Sequence, residues 1–182
     1  MSADRKIEVN SFKEIPGKYL NTPISLLLEY HNLDKPFDNY TSAQLLVGMC
    51  MDSRKHLRIP DNFAFIIRSG GANLRTNEFK VSYAIGVGGV TAIALMGHND
   101  CGMVNLAARK NLFVEGLCKN AGWTKEDAEE HFKNVSPIFE IGNEIDFILS
   151  ETKRLRLRYP KIIVAPMFYS VQNNRLFLLR ED

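Results

Sequence analysis

Apolar residues in this chain form short unbroken runs, separated by longer stretches with a period of three to four, the alternation of buried strands with amphipathic helices. Ala43 to Cys50 (AQLLVGMC) is nearly continuous, as in a strand covered on both faces, and Phe63 to Ile67 and Thr91 to Met96 repeat the pattern. These runs predict three parallel strands. Ahead of them, Thr22-Pro23 followed by Ile24, Leu27, Leu28 and His31 reads as an N-cap, a proline at the first helical position and an apolar stripe. A short amphipathic helix is therefore expected to start the fold.

Between the second and third runs, Thr76 can cap a helix carrying Phe79, Tyr83 and Ile85 that stops at the cluster Gly86, Gly88, Gly89. That completes one βαβ crossover. Val104 to Asn120 reads as a helix, and Thr124 with Glu126 and Asp127 opens another. Ile141, Ile145, Ile148, Thr152, Leu155 and Tyr159 then recur at spacings of four, three, four, three and four, which places them on one helix face closed by Pro160. Ile162 to Val171 predicts a fourth strand, Asn173-Asn174 a tight turn, and Arg175 to Leu179 a fifth strand paired antiparallel to the fourth. The expected class is α/β, with a mainly parallel central sheet of about four parallel strands plus an antiparallel C-terminal strand, flanked by helices. No repeat or linker divides residues 1–182, so one domain is expected, with a short helical arm over about residues 1–40.

Composition narrows the function classes. At 182 residues with 45% hydrophobic and 24% charged positions and a formal net charge of +2, neither disorder nor general polyanion binding is indicated. Met1 to Lys6 leads into polar residues rather than an apolar core, and no run of about 18 apolar residues occurs, so cytoplasmic residence without a membrane partner is the expectation. The three cysteines are an odd number with spacings unlike a disulfide framework, and in a reducing compartment such cysteines more often bind metal or act chemically. Cys118, within an expected helix, reads as a small half-buried hydrophobe.

The other two cysteines lie at strand ends. Cys50 leaves the first strand within Cys50-Met51-Asp52-Ser53-Arg54, and His98-Asn99-Asp100-Cys101 follows the third. Open α/β sheets place ligand sites at the carboxyl ends of their strands, so the two loops converge if those strands are neighbours. Gly97 and Gly102 flank the ligands and would let the backbone turn tightly near a metal. Two thiolates and one imidazole fill three positions of a tetrahedral zinc site and leave the fourth open for catalysis, and these ligands suit zinc better than magnesium or calcium. One zinc per chain is expected. Two thiolates neutralise the dication, so the bound water gains from a nearby carboxylate, for which Asp52 is the natural candidate. Arg54 would keep Asp52 ionised and oriented, and were Arg54 to let go, Asp52 could rotate onto the metal and close the site.

With these motifs in view, the chain resembles the β-class carbonic anhydrases. The resemblance rests on Cys50-Met51-Asp52-Ser53-Arg54, on His98-Asn99-Asp100-Cys101-Gly102-Met103, on the strand, glycine-rich turn, helix and strand between them, and more weakly on Tyr169. It implies zinc on Cys50, His98 and Cys101, an Asp52–Arg54 catalytic dyad, and reversible hydration of CO2 to bicarbonate and a proton by zinc-bound hydroxide. It also implies a homodimer or higher homo-oligomer, with N-terminal helices packed on a neighbouring subunit. Arg68-Ser69-Gly70-Gly71-Ala72-Asn73 departs from the family's common Arg-Asn-Ala-Gly-Asn, and the N-terminal segment has no clear match to the glutamine that many members place in the substrate pocket.

Other readings keep the metal. Hydrolysis of carbon disulfide or carbonyl sulfide would use the same zinc, and a non-catalytic zinc-binding protein would need only a closed site, although such a site has no use for an oriented Asp52–Arg54 pair. Gly86-Val87-Gly88-Gly89-Val90 lacks dinucleotide-binding spacing and reads as a helix stop. Lys153, Arg154, Arg156, Arg158 and Lys161 read as the solvated side of a helix rather than a nucleic-acid surface. His31, His56 and His131 have no metal-ligand spacing around them, and any of them could shuttle protons if exposed near the mouth.

Overall fold

The computed structural model describes residues 5–181. Lys6–Glu8 (β1), Leu45–Cys50 (β2), Ala64–Ser69 (β3), Ala92–His98 (β4), Ile163–Ser170 (β5) and Arg175–Leu179 (β6) join in one sheet of order β1-β6-β5-β4-β2-β3. The β3, β2, β4 and β5 strands run parallel to one another, while β6 is antiparallel to both β5 and β1. The helices are Pro23–Asn32 (α1), Glu78–Gly86 (α2), Lys110–Ala121 (α3), Lys125–Phe139 (α4) and Glu144–Arg158 (α5). None of the described helices is long and apolar enough to cross a membrane.

The central strands are buried on both faces because each face has its own apolar layer. Leu45, Val47 and Met49 of β2 join Ile24, Leu27 and Leu28 of α1, whereas Leu46 points to the opposite layer, with Val81 and Ala84 of α2 and Ile148 and Leu155 of α5. This is the period of two that a strand imposes. At the C-terminal edge the register puts Met49 opposite Met96 and His98 opposite Tyr169, so Cys50 and His98 leave adjacent strands side by side.

Several expectations change. Residues 5–40 are not simply a helical arm: β1 extends the sheet through β6, and α1 lies on the chain's own core. Three residues are too few for a legible alternation, and their partner lies at the far end of the chain. The expected helical residues 1–4 lie outside the described residues. The β3 strand is not covered on both faces, because it closes one edge of the sheet and leaves Phe65 and Ile66 exposed. Thr76 does not cap α2: a turn of 3-10 helix over Arg75–Asn77 precedes it, and Phe79 and Tyr83 face outward while Val81 and Ala84 are buried. Helix α3 begins at Lys110 rather than Val104, because Asn105 takes a left-handed conformation (φ 52°) and Glu140 accepts the amides of Asn105 and Leu106. Asn143 caps α5, leaving Ile141 in the preceding loop.

The glycine cluster does stop α2, with the amides of Val87 and Gly88 both bonded to the Tyr83 carbonyl. Three arginines of the basic cluster are held in ion pairs: Arg154 with Glu151 and Glu78, Arg156 with Glu181, Arg158 with Glu78. Glu151 is fully buried and is also met by Arg75 at 3.1 Å. Arg154→Ala removes two of its three arginine bonds, and a loss of about 1.5–3 kcal/mol is expected, measured as a lower urea midpoint at unchanged slope.

Candidate metal centre

Cys50 ends β2, His98 ends β4, and Cys101 returns from the loop beyond it. One ligand atom from each of the three lies within 4.8 Å of the others, and all three residues are buried. The sulfurs of Cys50 and Cys101 are 3.9 Å apart and form no disulfide. Between the ligands the chain reverses at Asp100, whose φ of 55° is left-handed, a conformation aspartate tolerates better than most residues.

His98 is turned by its neighbour. Its Nδ1 lies 2.9 Å from the Asn99 carbonyl, which accepts the Nδ1 proton, so Nε2 carries the free lone pair. Nε2 is buried and has no hydrogen-bond partner among the described residues. An orphaned imidazole nitrogen facing two sulfurs fits a soft or borderline metal ion, and these residues could hold one. Asn99 Oδ1 in turn accepts the Val171 amide at 3.0 Å, tying the ligand loop to the end of β5.

The sulfurs have their own donors. The Cys101 thiol and the amides of Asp52 and Gly71 hold Cys50 below the ordinary thiol range against the opposing effect of burial. Cys101 is pushed up, because it is the donating thiol of the pair and is buried. Gly71 reaches Cys50 only as a glycine: its φ is +61°, and an added Cβ would lie 2.7 Å from Ile141 Cγ2. Gly97 permits close approach of α5, since a Cβ there would meet Ile148 Cγ1 at 2.8 Å. Gly102 has no such need, as it faces open space at an ordinary φ, contrary to expectation.

Asp52 and Arg54 form the expected pair. Arg54 Nε lies 3.0 Å from Asp52 Oδ1 and Arg54 Nη2 lies 2.7 Å from Oδ2, a fork-on-carboxylate contact, and the Arg54 amide adds a bond of 2.9 Å to Oδ1. The Arg54 side chain holds the Asp52 carboxyl well below the usual carboxylate range, against partial burial. The far side of the guanidinium meets Asp100, with Nη1 at 2.8 Å from Oδ2 and Nη2 at 3.0 Å from the carbonyl. Arg54 therefore ties the Cys50 loop to the His98–Cys101 loop.

Sequence reasoning missed the tethering role of Asp100, which shows only when the loops meet, and that of Arg68, whose Nη1 and Nη2 donate to the carbonyls of Asp52 and Lys55. Tyr169 supports the same region by donating to Asn174 Oδ1 at 3.0 Å and accepting the His56 amide. His31 is structural: it accepts the Arg58 amide at Nδ1 and donates from Nε2 to the Asn174 carbonyl. His131 stacks among Phe113 and Trp123, and Cys118 is half-buried on α3, so neither belongs to the cluster.

The architecture is that of the β-carbonic anhydrases. A β-carbonic anhydrase from Trichomonas vaginalis superposes with a TM-score of 0.62 over 80% of this chain and 88% of that one, at 18% identity. A carbonic anhydrase from Streptococcus mutans gives 0.60 over 89% and 98%, also at 18% identity. A carbon disulfide hydrolase shares the fold more loosely, with a TM-score of 0.52 over 74% and 77% at 22% identity. No protein-family model and no curated protein sequence matches the chain.

Proposed function

We propose that this protein is a zinc-dependent carbonic anhydrase, interconverting CO2 and bicarbonate, with one zinc held by Cys50, His98 and Cys101. The observation that carries the reading is the buried Cys-His-Cys group beside a carboxylate that Arg54 holds ionised. A zinc ion held by these three residues would supply Lewis acidity, lowering the pKa of water bound there. The chain's own groups do the rest. Asn99 fixes the His98 tautomer, backbone amides stabilise the thiolates, and Asp52 presents an ionised hydrogen-bond acceptor that orients the nucleophile. Arg54 holds that acceptor in place, and its contacts with Asp100 link the two ligand loops.

The test is stopped-flow CO2 hydration with metal content measured on the same sample at about pH 7 and about pH 8.5. About one zinc per chain and hydration that rises with pH are expected. Full zinc without hydration at either pH would overturn the reading in favour of another linear substrate or a non-catalytic zinc protein.

Hydrolysis of carbon disulfide or carbonyl sulfide is the second reading, since a carbon disulfide hydrolase shares the fold. An apolar cavity of about 250 Å³ lies beside the ligand loops, lined by Met51, Met103, Phe113, Phe132, Val135 and Phe139 among others. It suits an uncharged linear molecule of either kind, and rates measured on both substrates separate the readings. The proposal includes a cytoplasmic homodimer or higher homo-oligomer. The exposed apolar residues Phe65, Ile66, Phe79 and Tyr83 at the β3 edge support self-association, measurable by sedimentation equilibrium.

A further inference from the structure

The segment that carries and follows the Asp52–Arg54 pair, residues 51–58, belongs to no strand or helix, so its amides need partners from elsewhere. Three alternate amides find them in side chains. The Arg54 amide donates to Asp52 Oδ1 at 2.9 Å, the His56 amide to the Tyr169 hydroxyl at 3.2 Å and the Arg58 amide to His31 Nδ1 at 3.0 Å. The last two acceptors are joined, because Tyr169 donates to Asn174 Oδ1 at 3.0 Å and His31 Nε2 donates to the Asn174 carbonyl at 2.6 Å. Asn174 is itself fixed in the turn between β5 and β6, with φ 56° and its amide 2.9 Å from the Ser170 carbonyl. Tyr169 pairs with His98 in the β4–β5 register, so this clasp joins the Asp52–Arg54 loop and the last turn of α1 to the strand beside a metal ligand.

Of these three acceptors, only an imidazole changes charge near neutral pH. A neutral His31 accepts at Nδ1 and donates at Nε2, which is the pattern its two partners require. An imidazolium donates at both nitrogens, so its Nδ1–H would face the Arg58 N–H and that bond would be lost. Burial pushes the His31 ring below the ordinary histidine range, the cations Arg175 and Arg58 reinforce the shift, and the Asn174 carbonyl and Asp34 oppose it. The Tyr169 ring lies against His31, with centroids 5.9 Å apart. We propose that His31 is a positioning residue for the reaction: while neutral it holds the loop that carries the Asp52–Arg54 pair, and on protonation it lets that loop loosen. The bond to Arg58 is intact at neutral pH and is lost as pH falls through the lowered pKa of His31. The consequence for hydration rests on the zinc reading, whereas the clasp itself does not.

Amide hydrogen exchange of the full chain, followed by NMR from about pH 5 to about pH 8 alongside the His31 ring signals, tests the clasp without reference to activity. Each rate is referred to that of an unstructured chain at the same pH. In wild type the protection of the Arg58 amide is expected to fall about 10-fold or more as His31 titrates, with smaller losses at His56 and Arg54. His31→Asn keeps an acceptor at the Nδ1 position that does not titrate, so its protection should persist into acid, and His31→Ala should lack it at every pH. The hydration rate of wild type relative to His31→Asn should fall about 3–10-fold across the same titration, a ratio in which shared pH dependences cancel. Arg58 protection that ignores the His31 titration, or that follows the same course in His31→Asn, overturns the inference. A loss at Arg58 that never reaches Arg54 overturns the link to the dyad. A zinc-loaded wild type that fails to hydrate CO2 at any pH overturns the carbonic anhydrase reading instead, and the exchange data still decide the clasp. Should neither variant fold, the wild-type exchange titration decides alone.

Discussion

Replacing His98 by alanine is expected to abolish stable metal binding and, with it, CO2 hydration. The three ligand atoms lie within 4.8 Å of one another, and His98 supplies the only nitrogen among them. Structural zinc sites hold the ion with apparent energies of about 10–16 kcal/mol, so losing one of three protein ligands should weaken binding on the order of 10³-fold or more. Metal analysis after dialysis reads the loss directly. Circular dichroism checks the fold, because His98 sits in the β4 ladder and a shortened side chain there also leaves a small void. Cys118→Ala is the matched control: Cys118 lies outside the cluster, and its variant should retain the metal. A His98→Ala protein that held zinc as tightly as wild type would remove His98 from the ligand set.

Replacing Asp52 by asparagine should leave zinc in place and depress hydration by about 10–100-fold, the usual cost of losing a group that supports a metal site from outside its ligands. The substitution preserves shape but removes the charge and one of the two acceptor oxygens that Arg54 grips at 3.0 and 2.7 Å. The amide can no longer receive the two-pronged contact, and its NH2 would face the guanidinium, donor against donor. The two effects act together on the orientation of the acceptor, so the loss should fall mainly on kcat, with metal content as the internal control. A full hydration rate in Asp52→Asn would show that the carboxylate is not part of the reaction.

Much of the chemistry was legible before the fold because it depends on residue type and local spacing. Cys50, Asp52 and Arg54 fall within five residues, and His98 and Cys101 within four, each group following an apolar run long enough to be a buried strand. A side chain that bonds its own neighbour, such as Arg54 on Asp52, could be anticipated from that closeness. The capping of α1 by Thr22 and of α4 by Thr124 was readable for the same reason, since each cap is a bond between residues two or three apart.

What escaped the sequence depends on distance along the chain. The β1 strand pairs with β6 across nearly the whole chain, and nothing in three residues announces such a partner. Whether an apolar strand is central or at an edge depends on the order of strands, which is why β3 reads like β2 and β4 yet leaves Phe65 and Ile66 exposed. The link from Arg54 to Asp100 arises only when two loops separated by more than 40 residues meet at the sheet's C-terminal edge. Composition, strand and helix periodicity and the ligand chemistry follow from interactions between near neighbours, and these the sequence determines by itself. Strand order, the convergence of the loops and the environment of each charge follow from contacts between remote segments, whose pairing is settled by the burial of a shared core and is therefore decided only by the tertiary structure.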